Sequence, residues 1–291
     1  IVNGYNLIKS LNLNNKDIVL LENLRYYDEE LIDDNNFAHL LSKHGDIYIN
    51  DAFGTSHREH ASNSAILKYY LSNTKAIGFL FDKELKYLSH IDFINSKVIT
   101  VILGGAKISS KISMLKYFLD KCNCILIGGA MAFTFIKSKG YNIGKSLYED
   151  SMLKEAEFIL KKAEDYNVKI LLPLDFVCST EYSEDSLVIR DLKQLKSNEM
   201  GLDIGPKTIE LFKDKVKASN TIIWNGPLGA FEMKAFAAGT NCIAKCISKY
   251  TKSKTSIIGG GDTVSSIINL NLENYFTHVS TGGGASLELL S

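Results

Sequence analysis

Short apolar runs, each closed by a glycine-containing turn, recur along the chain. Val101-Ile102-Leu103 leads into Gly104-Gly105-Ala106-Lys107, and Ile125-Leu126-Ile127 leads into Gly128-Gly129-Ala130. Ser256-Ile257-Ile258 leads into Gly259-Gly260-Gly261-Asp262-Thr263, and Val279-Ser280-Thr281 into Gly282-Gly283-Gly284-Ala285. Ile222-Ile223-Trp224-Asn225 followed by Gly226-Pro227-Leu228-Gly229 is a further variant. Each reads as strand, tight turn and helix start. Together they predict one parallel sheet whose strand ends share a glycine-lined crevice, the edge at which open α/β sheets bind ligands.

The remaining pattern fills in around these units. Strands are predicted over 18–24, 47–53, 75–81, 97–103, 124–129, 169–176 and 221–225. Phe37, Leu40 and Leu41 form a short helical stripe, and helices are predicted over 130–139 and 149–166, with another opening at Pro206. Leu85, Leu88 and Ile91 recur three apart from Asp82 to Ile94, which predicts a helix capped by Asp82. That helix lies between two sets of βα units and marks the boundary between an N-terminal domain, 1–82, and a C-terminal domain, 97–280, with 83–96 as the connection. Residues 179–200 are polar and read as irregular, and 200–206 read as a turn.

The turns carry the candidate chemistry. Glycines permit close backbone approach, and free N–H groups at a helix start favour an anion. Asp262 does not suit a bare phosphate but suits one that arrives with Mg²⁺, a cation that takes hard oxygen ligands. The competing assignment makes Asp262 or Thr263 an ordinary helix cap. Lys107 and Lys111, four apart at a predicted helix start, would share a face and oppose the helix dipole, a cost that an anionic ligand offsets. Arg25 and Arg58 end two βα-type units and can clamp a phosphate or carboxylate; surface ion pairing is the alternative, most plainly for Arg25 beside Asp28, Glu29 and Glu30. His57 and His60 are open between general base, metal ligand and plain loop histidine. Glu232, after the small and apolar residues 226–231, can bond ribose hydroxyls or be a helix-start acid.

Bulk composition narrows the class. The chain has 291 residues with 33 basic and 33 acidic side chains, so its formal net charge is zero. That removes the usual electrostatic argument for nucleic acid or a membrane surface, and no apolar run is long enough to span a bilayer. Five cysteines without a C-x-x-C spacing point to reduced thiols in a cytosolic, cytoplasmic protein. The G-x-x-x-x-G-K-[ST] and G-x-G-x-x-G fingerprints are absent, which counts against a dehydrogenase.

Six segments, taken together, resemble the phosphoglycerate kinase family in that family's order and across almost the whole chain. They are Leu21-Glu22-Asn23-Leu24-Arg25, residues 45–58 ending in Gly54-Thr55-Ser56-His57-Arg58, Gly104-Gly105-Ala106-Lys107, Trp224-Asn225-Gly226-Pro227, Gly259-Gly260-Gly261-Asp262-Thr263 and Ser280-Thr281-Gly282-Gly283-Gly284-Ala285-Ser286. The resemblance implies two Rossmann-like three-layer α/β domains with parallel sheets facing across a hinge cleft, the N-terminal one incomplete here, with 281–291 as hinge and returning helix. It implies a monomeric glycolytic kinase acting on ATP/ADP with Mg²⁺ and on 3-phosphoglycerate/1,3-bisphosphoglycerate. By the same resemblance Arg25 and Arg58 hold the phosphoglycerate. Gly105, Lys111, Gly129, Leu202, Glu232, Gly260, Gly261, Asp262 and Thr263 bind the nucleotide, with Asp262 on the metal. Lys107, Gly283 and Gly284 stabilise the moving phosphoryl group. The chain departs from the family where Ser110-Lys111 replaces the Asp-Lys of many members, and where the family's first segment and final C-terminal stretch are missing.

The resemblance leaves a kinase and an inactive nucleotide-binding module as the two candidates, and binding of both Mg-ADP and 3-phosphoglycerate separates them. The start at Ile1 and the uncapped apolar pattern over 285–290 predict a polypeptide longer than this one. Intact mass of the purified protein tests this: a value near 32.3 kDa would overturn the expectation.

Overall fold

The computed structural model describes residues 14, 16–88, 97–250, 253–280 and 282–289. Two compact units divide the chain, residues 1–86 and 87–291.

In the first unit α1 (Asp28–Leu31) and α2 (Asn35–Ser42) precede β1 (Tyr48–Asn50) and β2 (Lys75–Ile77), and α3 (Phe79–Leu88) follows. Asp34 caps α2 through a 2.7 Å bond from the Phe37 amide, and Phe37, Ala38 and Leu41 pack with Ala61, Ala65 and Ile66 as a small core. β1 and β2 pair in parallel, Ile49 opposite Ala76. Residues 18–24 are not the buried strand that their apolar content predicts. Ile18 is 96% and Leu20 67% exposed, and only Leu21 and Leu24 reach the small core. Apolar content makes a buried strand only where a neighbour pairs and another layer covers it, and among the described residues neither surrounds Ile18 and Leu20.

The strand predicted over 75–81 stops at Ile77, and the helix begins at Phe79 rather than behind an Asp82 cap. The cap comes from elsewhere in the chain: Asp51 Oδ1 accepts from the Phe81 amide at 2.9 Å. Gly78 makes room for it, since a Cβ there would overlap the Asp51 side chain. Residues 89–94 of the predicted helix lie outside the described residues.

The second unit is built on six parallel strands: β3 (Ile99–Leu103), β4 (Cys124–Ile127), β5 (Lys169–Leu171), β9 (Thr221–Asn225), β10 (Thr255–Gly259) and β11 (His278–Val279), ordered β11-β10-β9-β3-β4-β5. Their crossovers are α4 (Ile112–Phe118), α5 (Met131–Ser138), α6 (Leu153–Asp165), α7 (Pro206–Ala218), α8 (Ala238–Ser248) and α9 (Gly261–Asn269), with α10 (Gly284–Leu289) last. Strands β3, β4 and β9 are buried along their whole length. On one face Ile102, Leu126, Trp224 and Ile258 pack against Phe212, Ile243, Ile247 and Ile267 of the helices. Their neighbours Val101, Ile125, Ile223 and Ile257 are buried as well. Full burial of such a side chain contributes about 1.5–3 kcal/mol.

Three of the predicted segments are corrected by a second sheet, β6 (Asp175–Ser179), β7 (Val188–Asp191) and β8 (Met200–Ile204), antiparallel in the order β7-β6-β8. The 169–176 strand is two strands in two sheets, divided at Leu172-Pro173-Leu174. Residues 179–200 contain β7, and 200–204 are strand rather than turn. β7 is an edge strand and only partly buried, and the Arg190 guanidinium holds Glu199 at 2.8 Å across the sheet end.

The cross-chain cap on α3 is testable. Asp51→Ala should cost about 1 kcal/mol of first-unit stability, as for other lost N-caps. Amide exchange at residues 79–82 should speed up; unchanged exchange there would refute the capping role.

Candidate functional site

Because β3, β4 and β5 lie on one side and β9, β10 and β11 on the other, the sheet reverses its winding between β3 and β9. Open α/β sheets form their crevice at such a switch point. Here the two turns interlock. Gly104 N donates to Asn225 O at 3.0 Å, Gly105 N to Pro227 O at 2.8 Å, and Gly129 N of the next turn to Leu228 O at 2.9 Å. Gly226 must be glycine: its φ is +94°, and a Cβ would overlap the Gly104 carbonyl.

Two adjoining cavities open at this edge. The first, about 460 Å³, is mainly apolar and is lined by Gly105, Gly129, Leu202, Pro227, Ala230 and Glu232, with Asp262 at one end. The second, about 330 Å³, is lined by Lys107, Ser110, Lys111, Asn225, Gly260, Gly261, Asp262, Thr263, Gly283 and Gly284. Gly105, Ala106, Pro227 and Asp262 belong to both walls. Every residue that the sequence put on the nucleotide side thus lines one of these cavities.

The side chains differ in how they are held. Lys111 is half-buried and its Nζ donates to Asn225 Oδ1. Burial lowers its pKa, with the Asp262 charge working the other way. Lys107 is exposed and lies in the loop before a 3₁₀ turn, Ser109–Lys111. The expected shared helix face is therefore corrected, because α4 begins only at Ile112. Thr263 is fully buried and its Oγ1 accepts from Gly226 N at 2.7 Å, so it ties the β10 turn to the β9 turn. The cap of α9 is Gly260, at φ +87°, with no side-chain cap bond. Neither Asp262 nor Thr263 plays the capping role, and the exposed Asp262 carboxylate faces both cavities.

Arg25 and Arg58 belong to the first unit. Arg25 sits in a 3₁₀ turn, Leu24–Tyr26, and Arg58 in the loop after Phe53–Thr55; both are exposed, and among the described residues neither side chain is ion-paired. His60 is a buried loop histidine with Nδ1 3.9 Å from Glu30 Oε1. No cluster of three His, Cys, Asp or Glu side chains among the described residues could hold a metal.

The sequence did not single out Asn225, although it stands inside a quoted motif, nor Tyr182, Lys145 and Leu147, which also line the apolar cavity. Tyr182 lies in the β6–β7 connection, irregular as expected, and only the fold brings that loop to the cavity.

Against known proteins, the family model described as phosphoglycerate kinase matches residues 5–291. The chain belongs to the phosphoglycerate kinase family. The phosphoglycerate kinase of Prochlorococcus marinus (strain MIT 9515) is 45% identical over 287 residues, covering 98% of this chain and 71% of that protein. That of Chloroherpeton thalassium is 46% identical over 276 residues, covering 94% and 69%. Among solved structures, the phosphoglycerate kinase from Coxiella burnetii superposes with a TM-score of 0.83 at 37% identity, covering 94% of this chain and 69% of that one. The Pyrococcus horikoshii enzyme gives 0.80 at 29% identity, covering 96% and 71%.

Behind the apolar cavity, Asp203 of β8 anchors the start of α8. Its Oδ2 accepts from Gly239 N at 2.7 Å and its Oδ1 from Ile204 N at 2.9 Å. Burial pushes its carboxyl up to about 7, against the lowering effect of the Gly239, Ile204 and Ala238 amides. A carboxyl raised in the folded state stabilises the protein at low pH, and that contribution is lost as pH rises through the folded value. The stability difference between wild type and Asp203→Asn should therefore shrink from pH 5 to pH 7 and level off above pH 8. A difference independent of pH in urea unfolding would refute this.

Proposed function

We propose that the two adjoining cavities of the second unit are the Mg-nucleotide site of a phosphoglycerate kinase, with Lys107 as the residue that carries phosphoryl transfer. The reaction is the family's: reversible transfer between ATP and 3-phosphoglycerate, giving ADP and 1,3-bisphosphoglycerate, a step of glycolysis. The observation that carries the site assignment is the adjacency of an apolar cavity ending in Glu232 to a polar one holding Lys107, Lys111 and glycine amides. That is the order of base, ribose and phosphates along a nucleotide.

Phosphoryl transfer needs in-line positioning and positive charge on the equatorial oxygens of the moving group, with little covalent help. In this assignment Leu202, Gly105, Gly129 and Ala230 enclose the base and Glu232 bonds the ribose. Lys111, held by Asn225, and the first amides of α9 at Gly261–Thr263 take the inner phosphates. Lys107, free of the sheet-end hydrogen bonds that hold its neighbours, reaches the moving group, and Gly283 and Gly284 present backbone amides beside it. Arg25 and Arg58, unpaired among the described residues, supply the clamp for the acidic substrate from residues 1–82, and 97–280 form the nucleotide domain.

Asp262 fits a magnesium ion. It is a lone exposed carboxylate facing both cavities, and Mg²⁺ is bound through one or two carboxylates plus substrate phosphates rather than by an all-protein cage. When bound, Mg²⁺ neutralises phosphate charge. We take the working unit to be a monomer, as the family resemblance implies, and five free thiols support a reducing, cytoplasmic setting.

Lys107→Ala should lower turnover on the order of 10²–10³-fold, the cost of removing one donor to developing charge, while ADP affinity stays near wild type. Unchanged kcat in steady-state kinetics would overturn the role of Lys107.

A further inference from the structure

Glu149 has no part in the assignment above. It follows directly on Leu147 and Tyr148, so the stretch that gives Lys145 and Leu147 to the apolar cavity ends at this carboxylate. Both oxygens are engaged on one residue of the lysine loop. Oε2 accepts from Ser109 N at 2.9 Å, and Oε1 from Ser109 Oγ at 2.6 Å. Its own backbone N donates to Thr134 Oγ1 of α5 at 3.1 Å. Upstream, Lys145 N donates to Glu199 O at 2.7 Å and Gly201 N to Ser146 Oγ at 3.0 Å. Residues 145–149 are thus a strap, fixed to β8 at one end and to the lysine loop at the other.

Ser109 opens the 3₁₀ turn that ends at Lys111, and Lys107 stands two residues before it. The amides at the start of a helical segment lack partners within it and are met by a side chain, by water or by a ligand. In this chain Glu149 takes that place. A carboxylate there keeps a second anion out and holds the loop from which Lys107 projects.

We propose that Glu149 is a positioning residue for phosphoryl transfer, fixing the lysine loop to the rim of the base cavity so that the Lys107 and Lys111 ammonium groups are held where they meet the nucleotide phosphates. Electrostatics agree with the geometry. Burial works upward on the Glu149 carboxyl, but bonds from the Ser109 hydroxyl and amide and the Ile108 amide, with the Lys107 charge, hold it below the ordinary value. The inference rests on the reading of Lys107 as the residue that carries transfer.

The test uses the full-length protein and the variants Glu149→Ala, Glu149→Gln, Ser109→Ala and Glu149→Ala/Ser109→Ala, with Lys107→Ala alongside. Glu149→Ala should lose about ten- to a hundredfold in kcat, the scale of a misplaced catalytic group, while adenosine, which reaches only the apolar cavity, binds as in wild type. Glu149→Gln, which keeps an acceptor oxygen, should restore part of kcat. Ser109→Ala should add nothing in the Glu149→Ala background, as expected for partners in one interaction. Wild-type kcat in Glu149→Ala, or a parallel loss of kcat and adenosine binding with no rescue by Gln, overturns the inference alone, provided Lys107→Ala is impaired. Undiminished turnover in Lys107→Ala overturns the reading of Lys107 and the inference with it.

Discussion

Three backbone hydrogen bonds between strand-end turns hold the cavity edge of the second unit in place. The turn after β9 runs across the turns after β3 and β4, and Asn225, Pro227 and Leu228 accept from Gly104, Gly105 and Gly129 in succession. Such bonds require backbone to touch backbone, which is why a Cβ at Gly104, Gly129 or Gly226 would overlap a neighbouring turn. The glycines are thus needed first for the seam between turns. The cavities are what remains once the seam has brought the strand ends together. Thr263 extends it to the β10 turn through Gly226 N, and Thr240 of α8 holds Leu228 N at 2.9 Å from behind.

On this frame the charged groups are sorted by how firmly they are held. Lys111 is half-buried against Asn225, and Glu149 is fixed to Ser109; both are set before any ligand arrives. Lys107 and Asp262 stay exposed at the cavity walls. That division suits phosphoryl transfer. On the proposed assignment the fixed Lys111 charge would mark where nucleotide phosphates lie, leaving the exposed Lys107 ammonium to the group that moves. Away from these groups, the buried Asp203 carboxyl anchors the start of α8.

The residues that could be read from the sequence were those whose role is local. Apolar runs ending in Gly-Gly marked β3, β4 and β10 and the turns after them, and the turn chemistry of 259–263 pointed to a phosphate corner. Residues whose partners come from far along the chain could not be read. Asp51 caps a helix that starts at Phe79, Glu149 bonds Ser109, and Asn225 holds Lys111. The same holds for β7 and β8, short and only partly buried strands that are held by antiparallel pairing with β6.

The amino-acid sequence by itself determined that a parallel α/β sheet with glycine-lined strand ends would form, since buried apolar strands and turns needing small residues are properties of short windows. It also carried the family, because the motif residues stand in family order. Only the tertiary structure decided which turns interlock, that Asp262 is a wall group rather than a helix cap, and that the amides ahead of Lys111 are already taken by Glu149. The interlocked turns and the Glu149–Ser109 bonds join residues tens of positions or more apart, and such partners become neighbours only when the sheet order is set.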